Sequence, residues 1–205
     1  MKLLLLLLMM FQGTVFAEAF CALRDPMAQI KQLFPEKTSQ LSIVKAINDD
    51  IRQHVQTKLP NNDLHFGELG RHTLYVIFKE QQVLGYIHVR SEQSFWGLVE
   101  VIWAIDQDFA IIDFAFQRCR SPKKTLIEQS EFRQMFIGKN LQQLQTYLSA
   151  DGVSANRVLL EQAKRAPELA NVLLRCALKT LLLTQLVWQE ELDTVMTASL
   201  NLVNK

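Results

Sequence analysis

Between Thr73 and Cys119 the hydrophobic pattern has a period of two, interrupted only by short polar links, and this stretch constrains the fold most. Successive side chains of a strand point to opposite faces, so such a period means strands. Residues 73–79, 83–90, 96–105 and 109–119 read as four strands. Glu80-Gln81-Gln82, the stretch from Ser91 to Ser94, and Asp106-Gln107-Asp108 read as the turns between them. Links this short join antiparallel neighbours, because a parallel crossover needs a much longer connection. Leu74, Val76 and Phe78 lie on one side of the first strand, Tyr75 and Ile77 on the other. A sheet apolar on both faces needs cover on both, and helices supply it.

The flanks provide those helices. Asp25-Pro26 opens a short helix that Phe34-Pro35 stops. Ile43, Ile47, Ile51, Val55 and Leu59 recur at helical spacing up to Pro60, which predicts a second helix over 43–59. The polar stretch from Asn61 to Gly70 reads as a loop. After Pro122, helical stretches hold Leu126, Phe132 and Phe136, then Leu141, Leu144 and Leu148, then residues 158–166. Pro167 opens a long last helix running to about Glu191. It is apolar on most sides yet carries Arg175, Lys179 and Gln185, so it reads as a buried or groove-lining helix and not a membrane span. The expectation is one α+β domain over 18–205, a four-stranded antiparallel meander flanked by N-terminal and C-terminal helices.

The first residues address the chain. Lys2 gives a positive start, Leu3 to Met10 is an unbroken apolar run, and Val15-Phe16-Ala17 places small residues for cleavage. Residues 1–17 therefore read as a secretory signal peptide, with cleavage after Ala17 or Ala19. The apolar run is shorter than the roughly 20 residues of a spanning helix. Lipidation at Cys21 fits less well, because Phe20 stands where a small residue belongs. The expected location is periplasmic or secreted. Of 22 basic and 21 acidic residues, the leader removes Lys2 and leaves 21 of each. A neutral chain without a basic stripe is not a nucleic-acid binder. Three cysteines in an oxidising compartment allow one disulfide. Three pairings exist. Cys21 and Cys119 lie beside exposed arginine-bearing segments while Cys176 lies in an apolar helix, which points to Cys21–Cys119.

No GxSxG, CxxC, HExxH or phosphate-cradling glycine loop occurs, so no motif marks an enzyme. His65 and His72 lack a ligand spacing of any specificity, and no metal is expected. Trp96 and Trp103 bracket the third strand, as core residues, as a lid, or as a platform for a planar ligand. Glu100 sits between Leu98 and Ile102 on a face that should be buried, where it needs Arg118 or Arg71 as a partner unless that face is open. Arg118 and Arg120 are followed by Ser121, Lys123 and Lys124. Such a cluster suits a phosphate or carboxylate, and it equally suits solvated charge at a strand exit.

From Leu74 onward the order of short segments resembles the FMN-binding domain family, which includes periplasmic flavin subunits of ion-translocating oxidoreductases. The resemblance is carried by Val83-Leu84-Gly85-Tyr86, Gly97-Leu98-Val99-Glu100-Val101, Ala104-Ile105-Asp106, Ile111-Ile112-Asp113-Phe114, Arg120-Ser121-Pro122, and Phe132 with Phe136-Ile137-Gly138-Lys139. Leu33-Phe34-Pro35-Glu36 matches a further segment upstream. The resemblance implies an exported electron-transfer protein holding FMN noncovalently. Arg118, Arg120 and Lys179 would neutralise the phosphate, Trp96 or Trp103 would flank the ring, and Glu100 would lie at the same site. The sequence also departs from the family. No [S/T]GAT attachment motif occurs, and the region read as equivalent, 171–184, has Thr180 and Thr184 without the glycine. Covalent flavin is not expected. The alternative is a flavin-free interaction or assembly module for a cell-envelope or membrane redox partner.

Overall fold

The computed structural model describes residues 25–128 and 131–203, the side chains of 202 and 203 excepted. The leader and Cys21 lie outside the described residues. Helix α1 (Met27–Leu33) leads to β1 (Ser39–Ile47), α2 (Asp49–Lys58) and a 3-10 turn at Phe66–Glu68. Strands β2 (Gly70–Lys79), β3 (Gln82–Ser94), β4 (Gly97–Ile105) and β5 (Ile111–Arg118) follow. Then come α3 (Lys124–Glu128), a 3-10 turn at Glu131–Met135, α4 (Leu141–Gln145), α5 (Arg157–Gln162) and α6 (Pro167–Val203). The protein is α+β, with one antiparallel sheet in the order β1-β2-β3-β4-β5.

The sheet has five strands, not four. The segment from Ile43 to Ile47, expected to begin a helix, is strand, and Ile43 pairs with Leu74 of β2. A spacing of four is also two periods of two, so Ile43 and Ile47 share a face in either conformation. Asn48 decides the boundary: its side chain accepts from the Ile51 N–H at 3.0 Å and caps α2. The second difference concerns the β3–β4 turn. Strand β3 continues through Ser91 to Ser94, and Phe95-Trp96 forms the turn itself. At the next turn, Asp106 accepts from the N–H groups of Asp108 and Ala110, so β5 begins at Ile111.

Both faces are covered. On one, Leu74, Val76, Val101, Trp103, Phe114 and Phe116 pack under α6 and the short helices. On the other, Ile77, Ile87, Ile102 and Ala104 pack against Ile30 and Phe34 around α1. Helix α6 is long and apolar enough to cross a membrane, yet most of that stretch is buried within the protein. It runs past Glu191 to Val203. Gly85 sits beside a register shift between β2 and β3, with φ of 152°. A Cβ there would collide with the Ile105 carbonyl oxygen of β4, so the close approach requires glycine.

Candidate functional site

The six residues expected at a cofactor site fall into separate environments. Arg118 and Glu100 are brought together as cross-strand partners on β5 and β4, with nitrogen and oxygen 3.7 Å apart. Glu100 is buried and Arg118 half-buried, so of the alternatives left open by the sequence (Arg118, Arg71 or an open face) the structure shows Arg118 facing Glu100. Arg120 is exposed just beyond the strand. Trp96 lies in the β3–β4 turn, 38% exposed, with its ring edge-on to Phe95. Trp103 is fully buried, donates to Cys176 Sγ at 3.3 Å, and stacks with Phe114 and Phe136. It is a core residue. Lys179, on α6, is buried between the carboxylates of Glu68 and Glu92. A cleft of about 230 Å³ beside α3 is lined by Leu126, Ile127, Ala163 and Lys164 and by none of the six.

The densest polar cluster was not anticipated. It lies between α6, β3 and the 3-10 turn before β2, where Glu68, Arg90, Glu92 and Lys179 are all buried. Arg90 Nη2 donates to Glu68 Oε1 at 2.7 Å, and Lys179 Nζ donates to Glu68 Oε2 at 3.0 Å. Lys179 is also 3.0 Å from Glu92 Oε2, an ion pair outside hydrogen-bond alignment. Arg175 Nε, closer to solvent, approaches Glu92 Oε1 at 3.5 Å. Burial pushes the Glu68 carboxyl up, but the charges of Arg90 and Lys179, with bonds from the His65 N–H and Lys179, hold it below the usual carboxylate range. The 3-10 turn positions Glu68, whose carboxylate accepts from the His65 N–H at 2.9 Å.

Two histidines border this network, and their neighbours fix their tautomers. His72 Nε2 faces the Glu68 carbonyl at 2.9 Å, which only accepts, so Nε2 carries the proton. Its Nδ1 is left to accept from Arg90 Nη1 at 3.4 Å. Thr184 donates its hydroxyl to the Thr180 carbonyl at 2.8 Å and therefore accepts from His88 Nδ1–H at 2.9 Å. His88 Nε2 is then a buried lone pair without a hydrogen-bond partner among the described residues. The ring lies edge-on to Trp188, with centroids 5.0 Å apart. Burial, with the Arg90 charge, lowers His72 to about 4. Burial, Arg90 and His72 carry His88 well below its ordinary value. Both rings are neutral at neutral pH.

The two described thiols are equally quiet. Burial, with the Glu92 charge, pushes Cys176 up to about 12, and burial raises the half-buried Cys119 as well. A thiol, unlike a thiolate, is a poor nucleophile. Among the described residues, no group of three or more His, Cys, Asp or Glu side chains is placed to hold a metal ion. Thr180 and Thr184 lie inside α6, each donating to the carbonyl four residues back, and not at a helix start. Sequence reasoning missed the network for local reasons. Glu68 fell in a polar loop and Glu92 in an expected turn. One signal existed: His88, Arg90 and Glu92 continue the face of Tyr86, which points into the core.

The fold and the buried network define an α+β protein whose internal charges are paired and shielded from solvent. No family model and no curated protein matches the chain.

Proposed function

We propose that the chain is an exported, flavin-free interaction module of the cell envelope that meets its partner through the β3–β4 end of the sheet. The observation that carries this reading is the exposure of Phe95, at 87%, on a hydrogen-bonded turn. Meanwhile Lys179 and Trp103, two groups that would serve a flavin, are buried and engaged internally. An exposed aromatic on a rigid support is suited to contact, and aromatics dominate the energy of interfaces. The segments that resemble FMN-binding domains have structural roles in this chain. Gly85 permits the approach of β4, Asp106 builds a turn, and Asp113 receives both arms of the Arg133 fork. Gly138 donates to the Ile111 carbonyl at 2.7 Å. These positions speak to architecture and leave the ligand open.

A second reading is noncovalent FMN at the same end, serving electron transfer with a membrane redox partner. One observation favours it: Arg120 is exposed and the Arg118 side chain is one-third exposed, at 33%, leaving guanidinium groups within reach of a phosphate. Absorbance and intact mass of the exported protein, native and denatured, separate the two. The interaction reading expects a colourless protein with the mass of the polypeptide alone. Flavin released on denaturation would replace it with the second reading.

A further inference from the structure

At the β3–β4 end, aromatic and cationic groups come together. The turn holds Phe95 and Trp96 beyond the sheet, their rings edge-to-face with centroids 5.2 Å apart. Ser94 Oγ donates to the Gly97 carbonyl at 2.6 Å and accepts from the Trp96 N–H at 3.1 Å, so the turn is pre-formed. Strand β5 leaves the sheet beside it. Arg118 stands opposite Glu100, three residues from Gly97, and Arg120 follows in solvent. From α6, Arg175 reaches the Gln93 carbonyl at 3.3 Å.

Two carboxylates of β3 and β4 behind this end, Glu92 and Glu100, are buried and face Lys179, Arg175 and Arg118. At the turn and the strand exit Phe95, Trp96 and Arg120 meet solvent, while the part-exposed Glu168 at the start of α6 is paired with Lys123. The acidic start of α2, Asp49 and Asp50, follows β1, two strand spacings or roughly 10 Å from β3 and three from β4.

We propose that this end docks on an anionic phospholipid surface, with Phe95 and Trp96 in the interfacial layer and Arg118 and Arg120 against lipid phosphates. The inference rests on the reading of the chain as an envelope interaction module and names what that module touches. Aromatic rings favour the headgroup level of a bilayer, where an apolar body and a polar edge are both satisfied. Arginines near an anionic leaflet add attraction that decays within a Debye length. A convex two-residue tip needs no complementary pocket in a bilayer, whereas a protein partner would have to supply one.

The test uses protein purified after export, its N-terminus fixed by mass so that no leader remains. It is mixed with phosphatidylcholine vesicles with and without phosphatidylglycerol. Trp103 and Trp188 are fully buried, so a fluorescence blue shift on binding reports Trp96. We expect sedimentation with the phosphatidylglycerol vesicles only, a blue shift, and release by raised salt. Phe95→Ser should weaken binding about tenfold or more, and Arg120→Gln about fivefold. Phe95 is too exposed for its loss to unfold the chain, and a melting curve checks that. Failure to bind anionic vesicles, or binding indifferent to Phe95→Ser, overturns the proposal. If vesicles fail while Phe95→Ser still abolishes association with the envelope in cells, the surface serves a protein and the interaction reading stands. Retained flavin instead overturns that reading itself.

Discussion

Lys179 of α6 donates to Glu68 at 3.0 Å, joining side chains 111 residues apart in the chain and each only 2% exposed. The contact ties the last helix to the loop that precedes β2. A buried charge is tolerated only when paired, and here one ammonium faces two carboxylates.

Removing that ammonium should therefore be costly. Lys179→Met leaves Glu92 with the Arg175 cation and Glu68 with the Arg90 cation and the His65 N–H, both carboxylates still buried. The expected loss is about 3–5 kcal/mol, read from urea unfolding of the exported protein. Combined with Glu68→Gln, the two losses should fall well short of additive, because the partners act as one network.

Acid should weaken the fold in two windows. His72 titrates near 6.5 when unfolded and about 4 when folded, so between those values the unfolded chain binds the extra proton. Its effect is absent above about pH 6.5, grows as pH falls, and levels off below about 4 at about 3 kcal/mol. His88, lowered further, adds a loss in the same direction. Glu68 is depressed, so its contribution is present above the ordinary carboxylate range and is lost at lower pH, as it protonates. Stability measured against pH should bend downward near 6.5, and His72→Gln should reduce that first bend. Nitrogen NMR should find His72 protonated at Nε2 and His88 at Nδ1 in the neutral protein.

Gly85→Ala tests the close approach of β3 and β4. The new Cβ meets backbone, the Ile105 carbonyl oxygen, and not the end of a flexible side chain. A positive φ adds strain, so a loss of about 2–3 kcal/mol is expected from thermal unfolding. Gly97→Ala, with open space at its Cβ and φ of 86°, should cost less.

The meander was legible because alternation, turn residues and short links all pointed the same way from β2 to β5. Strand β1 was not, since Ile43 and Ile47 lie four apart, a spacing that helix and strand both satisfy. The tip was misread because Ser91 and Ser94 look like turn residues, whereas pairing carries β3 past them and turns at Phe95-Trp96. The Glu100–Arg118 pair could be anticipated, as a buried carboxylate one strand from a cation. The Glu68–Lys179 contact could not, because it depends on where a helix begun at Pro167 crosses a loop fixed a hundred residues earlier.

The thiols offer a separate check. We expect Cys21, outside the described residues, to pair with Cys119 in the exported protein, leaving Cys176 reduced. Thiol titration of denatured, unreduced protein should find one free thiol, and Cys119→Ser should raise the count by freeing Cys21. Three free thiols would remove the crosslink.

We propose surface contact without flavin for this chain, and FMN binding is what would undo that proposal. Equilibrium titration of FMN into the exported protein, followed by flavin fluorescence, tests it most directly. A flavin-free protein gives no saturable quenching and retains no flavin after gel filtration. Saturable, one-to-one binding that weakens with Arg120→Gln would contradict the proposal.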